Sequence, residues 1–152
     1  MKVFKKILFP VDFSDVSPEI APWVRMVAER FGAEIHLLFV ARRLSYFSDF
    51  YVTPVSIEKF EGEIIKGGET KMEEFITAHF DKYPTVKPKV LLGDAADDIL
   101  KYILSEGIDL VIMGTHGRKG FERILFGSVA DRVIKMSQVP VLSINPHKVQ
   151  AP

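Results

Sequence analysis

Short, largely apolar runs alternate along this chain with segments whose apolar residues recur at helical spacing, and few folds accept that alternation. Residues 7–11, 34–40, 86–92, 110–113 and 140–144 form the runs. A run without a polar face must be covered on both sides, as a strand is in a parallel sheet. Between them, Ile20, Val24, Val27, Ala28 and Phe31 recur as one face of a helix. So do Ile57, Phe60, Ile64, Met72, Phe75 and His79, then Ile99, Leu100, Ile103 and Leu104, then residues 129–134. Strand-helix-strand units of this kind connect right-handedly. The expected fold is α/β: a doubly wound, five-stranded parallel sheet with helices on both faces.

Local signals set the boundaries. Ser17 followed by Pro18 predicts an N-cap with proline at the first helical position, and Gly32 is placed to stop that helix. Asp94 predicts the cap of the third helix, with Asp97 in a capping-box-like place and Gly107 at its end. Gly67 and Gly68 sit in the middle of the 57–80 pattern and predict a kink or break. Residues 42–56 have no clean period and read as a long loop. Its aromatics, Tyr46, Phe47, Phe50 and Tyr51, suit local packing, a lid or a dimer contact. One domain is expected over residues 1–146, with a loose tail over 147–152.

Composition narrows the function classes. Lys and Arg number 20 and Asp and Glu number 20, so formal net charge is zero. Binding to a nucleic-acid backbone usually needs a basic excess, so no nucleic-acid partner is expected. The chain has no cysteine, which excludes disulfides, thiol catalysis and cysteine-ligated zinc. The apolar run near the start is interrupted by Pro10 and Asp12, too short for a signal peptide, and no stretch has membrane-spanning length. A cytoplasmic protein without membrane association is the expectation.

The segment most suggestive of chemistry begins at Gly114. Gly117 follows after two residues, and Gly127 and Ser128 after nine more. The segment leaves the fourth strand and enters the last helix. Glycines there let the backbone approach a ligand, helix-start amides favour an anion, and the Ser128 hydroxyl adds a donor. Phosphate binding is the chemistry this suggests. Walker-type G-x-x-x-x-G-K-[ST] is absent, and the Gly114, Gly117, Gly120 spacing is not that of a dinucleotide fingerprint.

Strand order 3-2-1-4-5 would make strands one and four neighbours, with the topological switch point between them. Pro10, Val11 and Asp12 would then stand beside Met113 and Gly114. Asp12 suits hydrogen bonds from a ribose hydroxyl or an amine, the role its place at the switch point favours; the other reading is a turn residue before the first helix. Val40, at the end of strand two, offers an apolar wall for a base. His116 is open between a phosphate contact, a general base and a solvated loop residue. Arg118, Lys119 and Arg123 are open between neutralising phosphates and solvated charge. His36 and His79 lie within element patterns and read as structural.

The spacing from Gly114 to Ser128, preceded by 109–113 and followed by 139–142, resembles the universal stress protein family. The opening stretch 6–14 and the Gly93, Asp94, Ala95 triplet resemble that family too. The resemblance implies the same five-stranded fold, a homodimer contacting through the last strand from Val139 to Ile144, and, because the glycine motif is complete, ATP binding. By position, Asp12 and Val40 would contact ribose and adenine. Gly114, Gly117, Gly127, Ser128 and Val129 would surround the phosphates, with Met113 beside them.

The expected function is that of an ATP-binding stress-response protein acting as a nucleotide-dependent regulatory or interaction module. Two alternatives stand beside it: a slow ATPase or phosphotransferase, and a nucleotide-free dimeric scaffold. Phosphoryl transfer needs a positioned nucleophile, charge neutralisation and usually a metal. Asp12 and Ser128 are the oxygens available to Mg2+, without a dedicated carboxylate cluster.

Overall fold

Every strand pairing is parallel, and the order is β3-β2-β1-β4-β5. In chain order the elements are β1 (Lys6–Pro10), α1 (Ser17–Phe31), β2 (Glu34–Arg42), α2 (Pro54–His79), β3 (Val86–Gly93), α3 (Ala95–Glu106), β4 (Leu110–Gly114), α4 (Gly127–Met136) and β5 (Val141–Ile144). The computed structural model describes residues 3–43, 53–115 and 127–152, with residues 127 and 128 described through their backbone alone. The doubly wound sheet expected from the alternation is the one observed.

Its cores follow from the period of two along a strand. Ile7, Phe9 and Val11 face one side, where Ile20 and Val24 of α1 and Met72 and Phe75 of α2 cover them. Leu8 faces the other side with Leu38, Val111 and Met113, under Ile99 and Ile103 of α3 and Val133 of α4. Ile7 and Leu8 are both fully buried, so β1 has no solvent face.

The caps divide into those read correctly and one that was not. Gly32 and Gly107 end α1 and α3 in the left-handed conformation, with φ of 62° and 65°. Asp94 caps α3 by accepting from the Asp97 amide at 3.0 Å. Ser17, however, is not the N-cap of α1. That place is held by Val16, whose side chain has no polar group to offer, and Pro18 stands one position later than expected. The buried Ser17 hydroxyl instead donates to Asp12 Oδ1 at 3.0 Å. A carboxylate is a stronger acceptor than the competing local groups, and it wins.

Three further expectations are corrected. The 42–56 loop is shorter at both ends: β2 runs to Arg42 and α2 starts at Pro54, capped by Thr53, which accepts from the Ser56 amide at 3.2 Å. Residues 44–52, with all four aromatics of that segment, lie outside the described residues. Leu104 is exposed, and Tyr102 is the buried aromatic of α3 in its place. Finally, α2 is a single helix of 26 residues, unbroken at Gly67 and Gly68. Gly68 is buried against the sheet. A Cβ there would stand 3.0 Å from Val90 Cγ1 and 3.2 Å from the Phe39 ring, whereas a Cβ on Gly67 would meet open space. Gly68 is a point of close approach, and that tertiary contact outweighs the weak helix propensity of the pair.

One buried polar network ties the amino edge of the sheet together. His36 is 1% exposed; its Nδ1 lies 2.8 Å from the Tyr102 hydroxyl and its Nε2 lies 2.8 Å from Glu34 Oε1. The hydrogen bond from His36 holds the Glu34 carboxyl below its ordinary 4.5; burial opposes this, and Lys87 assists. Burial, with smaller contributions from Glu106 and Glu34, pushes the Tyr102 hydroxyl up to about 12. With Glu34 accepting and Tyr102 donating, the imidazole tautomer with its hydrogen on Nε2 satisfies both contacts.

Two outcomes are expected. Gly68→Val should cost about 1–3 kcal/mol through overpacking, while Gly67→Ala should gain about 0.5–1 kcal/mol from helix propensity; urea melts of both variants read the contrast. Because the folded Glu34 value is lowered, its contribution is complete above pH 4.5 and is lost as pH falls through that lowered value. Glu34→Gln should therefore flatten the fall of the thermal midpoint between about pH 5 and pH 3.

Candidate functional site at the topological switch point

From β1 the chain winds to β2 and β3, then crosses back so that β4 lies on the other side of β1. The crevice between the carboxyl ends of β1 and β4 is where such sheets receive ligands. Proline helps to open it. The Val11 amide donates to the Leu38 carbonyl of β2 at 2.9 Å. Successive amides alternate sides, so the amide at position 10 would face β4, and Pro10 has no hydrogen there. The β1–β4 register comprises Ile7 with Leu110 and Leu8 with Val111, whereas β1 pairs with β2 through Pro10.

Asp12 lies half-buried just past the end of β1. Three hydrogen bonds converge on its Oδ1: from the Ser14 amide at 3.0 Å, from Ser14 Oγ at 2.6 Å and from Ser17 Oγ at 3.0 Å. Asp12 is thus the organiser of the turn into α1, and none of these bonds uses Oδ2. The D-x-S spacing was the legible signal for this turn. The involvement of Ser17 was not legible, because it depends on the chain folding back over five residues.

The other named residues fall around the crevice. Extending the β1–β2 register from the Pro10–Leu38 pair by two places sets Val40 abreast of Asp12, and Val40 is half-buried on the α3/α4 side of the sheet. Met113 is fully buried in the core on that side, so it offers the crevice its backbone alone. Gly114 pairs with Ile144 of β5, and the Thr115 amide donates to the Ile144 carbonyl at 2.9 Å. Val129 is half-buried against the same core. His116 and Gly117 lie outside the described residues, as do Arg118, Lys119 and Arg123. Gly127 and Ser128 open α4.

Topology brings the start of α4 to the crevice. β4 and β5 are parallel, so the helix between them runs back along the sheet and begins at its carboxyl edge. The starts of α1 and α3 stand at that edge for the same reason. Arg132 of α4 braces this end against α3, with Nη1 3.3 Å from Asp94 Oδ1 and Nη2 2.5 Å from Asp97 Oδ1. The sequence named Asp94 and Asp97 as caps and gave no sign of their partner. Partial positive charge at several helix starts favours an anion here.

At the opposite edge a cleft of about 640 Å3 is lined by Lys5, Arg25, Glu29, Glu34, Lys82 and Tyr83 among others. Glu29 and Glu34 stand among its cations, and no crossover lies above it, so it lacks the topological switch that draws a ligand to the other edge. Among the described residues no group of three His, Cys, Asp or Glu side chains is placed to hold a metal ion, and no helix is long and apolar enough to cross a membrane.

Residues 4–145 match the model of the Universal stress protein family. Universal stress protein MJ0531 of Methanocaldococcus jannaschii is 33% identical over 148 residues, covering 96% of this chain and 85% of the relative. Universal stress protein MJ0577 of the same organism is 32% identical over 154 residues, covering 93% and 95%. The solved structure of MJ0577 superimposes with a TM-score of 0.81 at 30% identity, covering 95% of this chain and 97% of that one. A universal stress protein of Archaeoglobus fulgidus, solved in complex with dAMP, shares the fold with a TM-score of 0.63 at 16% identity, covering 95% and 100%.

Proposed function

The chain belongs to the universal stress protein family, and from that premise we propose that it binds ATP at the switch point and acts in the cytoplasm as a nucleotide-dependent regulatory module of the stress response. The observation that carries this reading is the complete run Gly114, Gly117, Gly127, Ser128 set between β4 and the start of α4. In the proposed complex the amides opening α4 and the Ser128 hydroxyl receive the phosphates. Gly117 keeps the loop clear of Cβ atoms, with His116 alongside and Val129 closing the far side. Asp12 meets the ribose through Oδ2, the oxygen its turn does not use. Val40 supplies the wall for adenine, and the backbone of Pro10, Val11, Met113 and Gly114 forms the floor. Mg2+, where present, takes oxygens from Asp12, Ser128 and the phosphates. The relative that carries dAMP supports an adenine nucleotide as the ligand class.

We also propose that the protein is a homodimer joined through β5, over Val139 to Ile144. The two edges of the sheet differ. Exposed Lys87, Pro88 and Lys89 blunt the β3 edge, a usual protection against strand addition. The β5 strand, Val141 to Ile144, carries no charge and no proline. Leu142 adds an exposed apolar side chain on that strand.

Excess Mg-ATP, at about a hundred times its dissociation constant, should add about 2.7 kcal/mol and raise the thermal midpoint by about 5–11 °C. GTP should do much less, and Gly117→Val should abolish the ATP shift while leaving the ligand-free midpoint unchanged. No shift in nucleotide-free wild-type protein would move the scaffold reading to the front. For the dimer, Leu142→Lys should yield a monomer in sedimentation velocity; an unchanged coefficient would remove β5 from the interface.

A further inference from the structure

Phe13, next to Asp12, has a φ of 56°. A bulky side chain rarely adopts the left-handed region, because its Cβ crowds the backbone carbonyl. Lys82, the other non-glycine residue with positive φ among the described residues, lies in an exposed turn and has no comparable surroundings. Phe13 is held. Its ring centroid lies 4.7 Å from that of Phe39 on β2 and 6.2 Å from that of Phe75 on α2, both in tilted or edge-on arrangements. Phe39 is in turn backed by the close approach of Gly68 on α2. On its other side, the peptide following Phe13 carries the Ser14 amide that donates to Asp12 Oδ1.

A strained backbone persists when its surroundings over-determine it. Here a ring lodged between two elements and a hydrogen bond to a carboxylate constrain one residue from both sides. We propose that Phe13 is a positioning residue: its clasp between Phe39 and Phe75 holds residue 13 left-handed and thereby fixes Asp12 in the orientation that leaves Oδ2 for the nucleotide. This rests on the reading of the switch point as a nucleotide site. It makes the packing of α2 against β2 a determinant of affinity, although neither Phe39 nor Phe75 belongs to the site.

Glycine adopts positive φ without the Cβ clash, and alanine does not. That separates positioning from ordinary packing. Both Phe13→Gly and Phe13→Ala lose the ring, so a residue that merely fills space should leave the glycine variant no better than the alanine variant. If the left-handed backbone is what matters, the order inverts. Phe13→Ala should bind Mg-ATP roughly five- to thirtyfold more weakly than wild type, the cost of an unsupported left-handed residue. Phe13→Gly should recover most of that loss. Isothermal titration reads the affinities. Hydrogen exchange of the Ser14 amide in ligand-free protein reads the turn: protection should survive in Phe13→Gly and fall in Phe13→Ala. Phe75→Leu, which leaves residue 13 untouched, should also lower it. Alanine equal to or better than glycine in both readouts overturns the proposal. If wild-type protein binds no adenine nucleotide, the functional reading fails by itself, and the Ser14 exchange order still decides for or against the clasp.

Discussion

A parallel strand at the centre of a sheet has no face to give to water, and the architecture of this chain follows from covering β1 on both sides. Ile7, Leu8 and Phe9 are all essentially inaccessible. Burying them requires two helices above and two below, which requires the chain to wind in both directions from β1. Winding in both directions creates the crossover between β1 and β4. The candidate site is therefore a consequence of how the core is closed. The central strand, buried on both faces, is also the one whose end delivers Asp12.

The parts of the fold that were legible in the sequence are those governed by local pattern. Strand runs, helix periods and the stops at Gly32 and Gly107 depend on residues close in the chain; every element and both stops are found, while β2 and α2 overrun the expected bounds and Phe31 and Phe60 of the helical periods face outward. Misreadings occur where a distant partner competes with the local signal. Ser17 has the chemistry of a cap, but Asp12 captures its hydroxyl. Gly68 has the propensity of a breaker, but it meets Val90 and Phe39, which belong to two other elements. Leu104 continues the apolar period of α3 yet faces out, while Tyr102 turns in to meet His36. In each case the deciding contact lies beyond the reach of a periodicity argument.

The candidate site divides along the same line. The glycine spacing, the position of Asp12 at a strand end and the switch point could be read directly, because they depend on residue type and strand order. The devices that shape the site could not. Nothing in a list of residues indicates that Arg132 reaches Asp94 and Asp97, or that Phe13 adopts a glycine-like backbone. A rule broken by a bulky residue beside the first candidate ligand contact is the kind of local inconsistency that tends to mark a functional constraint.

The two edges of the sheet are built on opposite plans, and that contrast argues for where a ligand goes. At the amino edge the polar groups close on one another. Asp109 Oδ2 accepts the amides of Lys5 and Lys6, the Asp109 amide returns to the Lys6 carbonyl, and Glu34 gathers His36 with two lysines nearby. An anion entering there would compete with carboxylates already in place. At the carboxyl edge the helices begin, and each leading turn carries amides without partners inside its own helix. Asp94 answers that need for α3 with a carboxylate of its own. The turn of α4 opens on Gly127 and Ser128, which bring no negative charge to it. Among the described residues the first turn of α4 carries no acidic side chain, and the partial charge of a helix start is of the sign that favours a phosphate. Binding there would draw on β1, β2, β4 and α4 together, and so would join the two halves of the sheet across the seam that its own topology leaves open.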